Sequence, residues 1–197
     1  MKGIFAYVSN QLSEQGIIKQ EDIDTCMYGL EVFASSVLEL LSVLVISLFL
    51  KNFVYTLIFF VSFIPLRIYA GGYHADTRLR CYLILLAVYA IFTVALKYIP
   101  VDSVIPFIQI TTVFTLSMVL IFAPIVNDKK SINNAEYKFY KKVSNTIAFV
   151  EAFITLIGLI AFPVNKYLFS FSMGQLAVST SMLAAFVKSL LKGEVKK

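Results

Sequence analysis

The hydrophobic positions of this chain fall in six long blocks: Val32 to Leu50, Phe53 to Leu66, Cys81 to Ile99, Val104 to Val126, Val143 to Phe162 and Tyr167 to Leu191. Such apolar runs point to the bilayer as the surroundings of the chain. A bilayer's hydrocarbon core takes about 20 helical residues to cross, so each block is predicted as a transmembrane helix. The second is short. Its roughly 14 residues cover only about 21 Å at ~1.5 Å per residue, so it is expected to borrow Arg67, Ile68 and Tyr69 or to tilt into a thinned site. Lys51-Asn52 joins the first two helices as a tight hairpin. Proline is expected to punctuate the rest: Pro65 closing the second block, Pro100 and Pro106 bracketing the third connection, Pro124 near the end of the fourth and Pro163 directly after the fifth.

The beginning breaks this pattern. MKGIFAYVSNQLSEQGIIKQEDIDTC interrupts its apolar residues with Asn10, Gln11 and Glu14, so it lacks the continuous core of a signal peptide. Ile4, Phe5, Val8 and Leu12 share one helical face. Residues 1–27 are therefore expected to form an amphipathic segment on the membrane surface, a helix packed on the protein being the alternative. No repeat, low-complexity tract or soluble domain interrupts the pattern. The fold class expected is all-α, a single polytopic membrane domain over residues 1–197.

Composition agrees, with 59% hydrophobic residues, 15% charged ones and a mean hydropathy of +0.82. Charge adds an orientation. If the N-terminus is inside, fourteen of the seventeen Lys and Arg fall on cytoplasmic segments, and the outer connections keep Lys51, Lys97 and Lys166. Positive residues in short loops stay on the cytoplasmic side, so N-terminus and C-terminus are both expected there. The net charge of +5 is thus first a topology signal and second an affinity for anionic lipid or an acidic peptide. No nucleic-acid partner is expected. The two cysteines, Cys26 and Cys81, sit in unlike contexts and are expected as free thiols.

Between the second and third blocks lies RIYAGGYHADTRLRC, residues 67 to 81, with three arginines, a Gly-Gly pair, the chain's one histidine and Cys81. A thiolate attacking a carbonyl while an imidazole moves the proton needs this pair of residue types. On one straight helix, His74 and Cys81 would stand roughly 10 Å apart, too far for a hydrogen bond. They cooperate only if the helix starts between them. Gly71 and Gly72 allow unusual backbone angles, and Asp76-Thr77 is a helix N-cap signal, so the third helix is expected to begin at Thr77 or Arg78. Cys81 then falls in its first turn, where the helix dipole with Arg78 and Arg80 favours thiolate. Backbone amides at that helix start are candidates to hold an oxyanion. Asp76 has two readings, as the cap and as a group orienting His74. A packing cysteine beside a solvated histidine is the alternative to a dyad. One His and two distant Cys do not make a metal site, and no cofactor is expected.

Other polar residues lie within the blocks. Glu39 and Glu151 are expected to pair with Arg67 or join a buried polar network, a substrate or transport role being the alternative. Gln109, Asn145 and Gln175 are candidates for polar contacts between helices. The run 136–142 interleaves aromatics with lysines and reads as an interfacial anchor.

The order R-x-x-x-G-G-x-H-x-x-x-x-x-x-C, between spans two and three of a six-span chain of this length, resembles the AgrB family of accessory gene regulator proteins. The likeness extends to Ala123-Pro124 at a span end followed by the basic Asp128-Lys129-Lys130. It implies a membrane cysteine endopeptidase of a bacterial cytoplasmic membrane that processes the AgrD precursor of a cyclic quorum-sensing peptide. By that likeness His74 and Cys81 are the catalytic pair, Arg67 and Gly72 support activity, and Lys129 and Lys130 belong to a functional basic loop, residues 127–142. The AgrD family's acidic tail would meet Arg67, Arg78, Arg80 or Lys129-Lys130, and its amphipathic leader would lie on the inner membrane surface. A homodimer is also implied. A peptide exporter without a covalent step is the competing reading.

Overall fold

A computed structural model describes residues 2–73, 77–125 and 133–191. Seven α-helices account for nearly all of them: α1 Lys2–Glu14, α2 Ile23–Phe49, α3 Phe53–Ala70, α4 Arg78–Tyr98, α5 Val101–Phe122, α6 Asn134–Ala161 and α7 Lys166–Leu191. Among the described residues six helices are long and apolar enough to cross a membrane, and they fall on the six expected blocks. The chain divides into two compact units, Met1–Ile46 and Ser47–Lys197.

In the first unit α1 leaves Ile4, Tyr7 and Val8 exposed, as an interfacial helix would. The amphipathic segment is shorter than residues 1–27, because α2 already starts at Ile23 and carries Cys26 in its first turn. Further along α2, Phe33, Leu38 and Leu41 are exposed apolar side chains.

The second unit is a helical bundle built inside out relative to a water-soluble protein. Ile91, Ile110, Val113, Ile121 and Phe153 point outward, while Thr56, Ser62, Thr115, Thr155, Gln175 and Ser179 are buried. Lipid rewards no burial of apolar side chains, so helices in it associate through small residues and interior hydrogen bonds. Helix α7 is the most buried of the five, packing against α3, α4, α5 and α6. Gly174 is the reason it comes so close to α3. A Cβ there would collide with the Phe59 carbonyl oxygen and lie 3.2 Å from the Phe63 amide nitrogen.

Interior contacts fix the direction of each helix. Thr112 and Thr115 of α5 hydrogen-bond Gln175 and Ser179 of α7, and Arg67 of α3 meets Ser181 seven residues beyond Gly174. The numbers rise together, so α3, α5 and α7 run the same way. Asn52 and Thr56 meet Thr93 and Tyr89, while Ser62 and Tyr69 meet Glu151 and Tyr140. Here they run against each other, so α4 and α6 are antiparallel to α3. The described basic residues Arg67, Arg78, Arg80, Lys138, Lys141, Lys142 and Lys188 thereby share one end of the bundle. This is a multi-pass membrane protein.

Several expectations are corrected. Pro65 does not close its helix; α3 runs through it to Ala70, which gives the short span 18 residues. Pro106 likewise lies inside α5, which starts at Val101 directly after Pro100. Proline forfeits one backbone hydrogen bond, and packing on both sides of it keeps the helix going. The basic connection is shorter than residues 127–142, because Asn133 opens α6 with a reciprocal capping box: its side chain accepts from the Glu136 amide at 2.8 Å, and Glu136 accepts from the Asn133 amide at 2.9 Å. The 28 residues of α6 extend about 42 Å, more than the roughly 30 Å of a hydrocarbon core, which is long enough for its aromatic and lysine-rich first turns to reach headgroup depth. Glu151, 5% exposed, joins the polar network and not Arg67, accepting from Ser62 Oγ at 3.3 Å and bonding Gln175. Gln109 faces outward and Asn145 Oδ1 is buried with no hydrogen-bond partner among the described residues, whereas Gln175 links helices there.

Replacing Gly174 by alanine is expected to cost about 1–3 kcal/mol through overpacking against α3, read as a lower melting temperature in detergent. Gly29→Ala in α2, where nothing lies within 4 Å, is the control. Equal melting temperatures for the two variants would contradict the α3–α7 contact.

Candidate active site

Helix α3 ends at a glycine pair that both backbone angle and crowding demand. Gly71 (φ 80°) and Gly72 (φ 137°) lie in the region that side-chain-bearing residues avoid. Gly71 forms an isolated parallel bridge with Ile125, just past α5, and the Ile125 amide donates to the Ala70 carbonyl at 2.9 Å. A Cβ on Gly71 would strike the Ile125 carbonyl oxygen. One on Gly72 would strike Arg67 Nη1 and stand 2.7 Å from Ser181 Oγ. The chain therefore leaves α3 wedged between the ends of α5 and α7.

Arg67 holds it there. One turn back on α3, its Nη1 donates to the Gly71 carbonyl at 2.9 Å and to Ser181 Oγ at 3.1 Å, and its Nη2 donates to the Tyr73 carbonyl. The Tyr73 amide donates to both the carbonyl and the Oγ of Ser181, each at 3.0 Å. A half-buried guanidinium is costly unless its donors find acceptors. Here the acceptors are the backbone of the segment leading to residue 74.

The other side of that segment is the start of α4. Thr77 is its N-cap (φ −128°, ψ 150°), with Oγ1 accepting from the Arg80 amide at 3.4 Å. The helix starts at Arg78, between His74 and Cys81, which is the condition for the two to cooperate. Cys81 lies in the first turn, half-buried and outside any disulfide, within electrostatic reach of the Arg67 guanidinium. Its own amide donates to the Thr77 carbonyl at 3.1 Å, so an oxyanion would have to be held by other groups. Arg78 and Arg80 are exposed. His74, Asp76, Lys129 and Lys130 lie outside the described residues. The chain enters 74–76 from Tyr73 and leaves at Thr77; it enters 126–132 from Ile125, the residue bridged to Gly71, and leaves at Asn133.

Of the expected site residues, the structure brings together Arg67, Gly71 and Gly72, and places Cys81 in the first turn of α4 within electrostatic reach of Arg67. It adds Tyr73 and Ser181, which sequence reasoning missed. Tyr73 contributes only backbone atoms to the clamp, which no side-chain motif reports. Ser181 left a faint signal. It continues the series of small residues Ser170, Gly174 and Ala177 on one face of α7, the face that meets α3. Beside the clamp is an open groove of about 600 Å³ lined by Tyr73, Thr180, Leu183, Val187 and Lys188, with Lys188 Nζ 5.0 Å from the centre of the Tyr73 ring.

Comparison with known proteins bears on the same residues. The family model described as Accessory gene regulator B matches residues 4–187. The chain is 26% identical over 149 residues to the accessory gene regulator protein B of Staphylococcus carnosus, covering 73% of this chain and 75% of that protein. It is 27% identical over 129 residues to the protein of the same name from Staphylococcus aureus, covering 66% and 68%. No solved structure matches it. With a glycine-arginine clamp before the histidine, a helix start ahead of the cysteine, and a family match spanning both, the chain belongs to the accessory gene regulator B (AgrB) family.

Proposed function

We propose that this chain is a membrane-embedded cysteine endopeptidase that removes the C-terminal tail of an AgrD-like quorum-sensing propeptide and promotes closure of the remaining peptide into a ring. The observation that carries this reading is the position of Cys81: first turn of α4, behind a Thr77 cap, within electrostatic reach of Arg67. A thiol at a helix N-terminus beside a cation favours its thiolate, the nucleophilic form.

In the proposed reaction Cys81 Sγ attacks the carbonyl carbon of the scissile peptide bond. The C–N bond breaks as His74 protonates the leaving amine, and the acyl group stays on Cys81 as a thioester. A thiol or hydroxyl within the substrate then attacks that thioester, gives its proton to the now-neutral His74 and expels the Cys81 thiolate. A substrate thiol closes a thiolactone and a hydroxyl closes a lactone. Exchange between thioesters is nearly isoenergetic, so the ring needs no nucleoside triphosphate. The Arg67 guanidinium lies within electrostatic reach of the reacting sulfur and is suited to the developing oxyanion. Arg78, Arg80, Lys129 and Lys130 offer positive charge for an acidic substrate tail. The positive-inside rule assigns the basic end of the bundle to the cytoplasm, in the bacterial cytoplasmic membrane. Asp76 is assigned to orient His74 or to assist the cap, and two copies of the chain would form the working unit.

In proteoliposomes with an AgrD-like propeptide, Cys81→Ala is expected to abolish cleavage while Cys26→Ala retains it; cleavage by Cys81→Ala would refute the nucleophile. Arg67→Lys is expected to insert normally but to lose roughly tenfold or more in turnover, because a single ammonium cannot span the acceptors that a planar fork reaches. Turnover equal to wild type would remove Arg67 from the site.

A further inference from the structure

We infer that Ser181 of α7 is a positioning residue for the active site, holding both the Arg67 guanidinium and the segment that enters His74. This rests on the peptidase reading above and adds to it a residue outside the 67–81 motif.

The geometry is specific. Ser181 Oγ accepts from Arg67 Nη1 at 3.1 Å and from the Tyr73 amide at 3.0 Å, which occupies both lone pairs of one hydroxyl. Its carbonyl accepts from the same Tyr73 amide at 3.0 Å. Gly72 leaves the room for this, since a Cβ there would stand 2.7 Å from Ser181 Oγ. The two donors that converge on Ser181 have different consequences. Arg67 carries the positive charge that reaches Cys81. Tyr73 is the residue before His74. One hydroxyl thus ties the nucleophile's counter-charge and the approach to the histidine to the same point.

That point belongs to the helix best suited to hold it. Helix α7 is the most buried in its unit and packs on four neighbours, with Gly174 locking it to α3 seven residues below. Gly71 to Tyr73 belong to no helix and include two glycines, the residues that lose most backbone freedom on ordering. A tether to α7 supplies the order that this segment lacks by itself. Removing the hydroxyl takes an acceptor from the charged donor and one of two acceptors from the Tyr73 amide, which keeps the Ser181 carbonyl, and the guanidinium then turns to other partners or to water. A shift of about 1 Å at reacting groups is enough to lower turnover by one to two powers of ten.

The test uses the full chain in proteoliposomes with an AgrD-like propeptide, and separately iodoacetamide alkylation of Cys81 in a Cys26→Ser background, which needs no substrate. Ser181→Ala is expected to keep its melting temperature near wild type. Its kcat is expected to fall by roughly tenfold or more with KM within about twofold, the signature of lost positioning. Cys81 should alkylate about threefold or more slowly, because the guanidinium no longer favours thiolate. Ser181→Thr, which keeps the hydroxyl, should recover most of the turnover. Ser117→Ala, whose hydroxyl bonds the Val113 carbonyl of its own helix on an exposed face of α5, is expected to cleave as wild type.

Ser181→Ala with wild-type kcat, or with a loss confined to KM, would overturn the inference. If Ser181→Ala does not fold, Ser181→Thr decides: normal folding with turnover as low as a tenth of wild type would overturn it. The two readings fail separately. Cleavage by Cys81→Ala would refute the peptidase, whereas inert Cys81→Ala beside fully active Ser181→Ala would refute the role of Ser181 alone.

Discussion

Arg67 is a cation that α3 carries half-buried to the end of the bundle, and a guanidinium withdrawn from water needs acceptors for its donors. The surrounding chain is arranged around that demand. The acceptors are two carbonyls of the departing segment, Gly71 and Tyr73, and one hydroxyl of α7, Ser181. Hydrogen bonds to charged groups contribute about 1.5–3 kcal/mol each. The same set bends the chain sharply, which requires glycine at both 71 and 72 and brings the chain against Ile125. In this way one charge joins the ends of α3, α5 and α7 and leaves α4 free to begin a few residues later with Cys81 in its first turn.

The bundle below is what makes such a clamp rigid. Lipid gives helices no hydrophobic reason to meet, so their alignment depends on small residues and internal hydrogen bonds. Gly174 lets α7 touch the α3 backbone, and Thr112, Thr115, Gln175 and Ser179 set the register of α5 against α7. Glu151 belongs to this interior network with Ser62 and Gln175. A carboxyl in that place, apart from the basic end, reads as part of the frame and not of the reaction.

The fold was largely legible in the sequence because membrane helices announce themselves by length and hydropathy. Helix boundaries were less legible at prolines. Pro65 and Pro106 look like stops and are not, since neighbouring helices keep a proline-containing helix in place. The start of α6 was hidden for the opposite reason: residues 134–142 are polar enough to read as loop, and the Asn133–Glu136 box that starts the helix is a side-chain device. At the site, Thr77 as cap and Cys81 in the first turn followed from local chemistry. Arg67 entered through its place in a motif, and its task as a backbone clamp emerged with the fold. Ser181 lies over a hundred residues away in the chain, and only folding brings it to Arg67.

The covalent step is tested most directly by trapping its intermediate. An AgrD-like propeptide with its internal ring-forming nucleophile replaced by alanine leaves the acyl group nowhere to go but water. Incubated with the protein in proteoliposomes and examined by intact and peptide-level mass spectrometry, it should load the protein with the tail-less peptide. The adduct should map to Cys81 and be released by hydroxylamine, as a thioester is. Tail removal with no adduct on Cys81, or an adduct on Cys26 instead, would contradict the assignment.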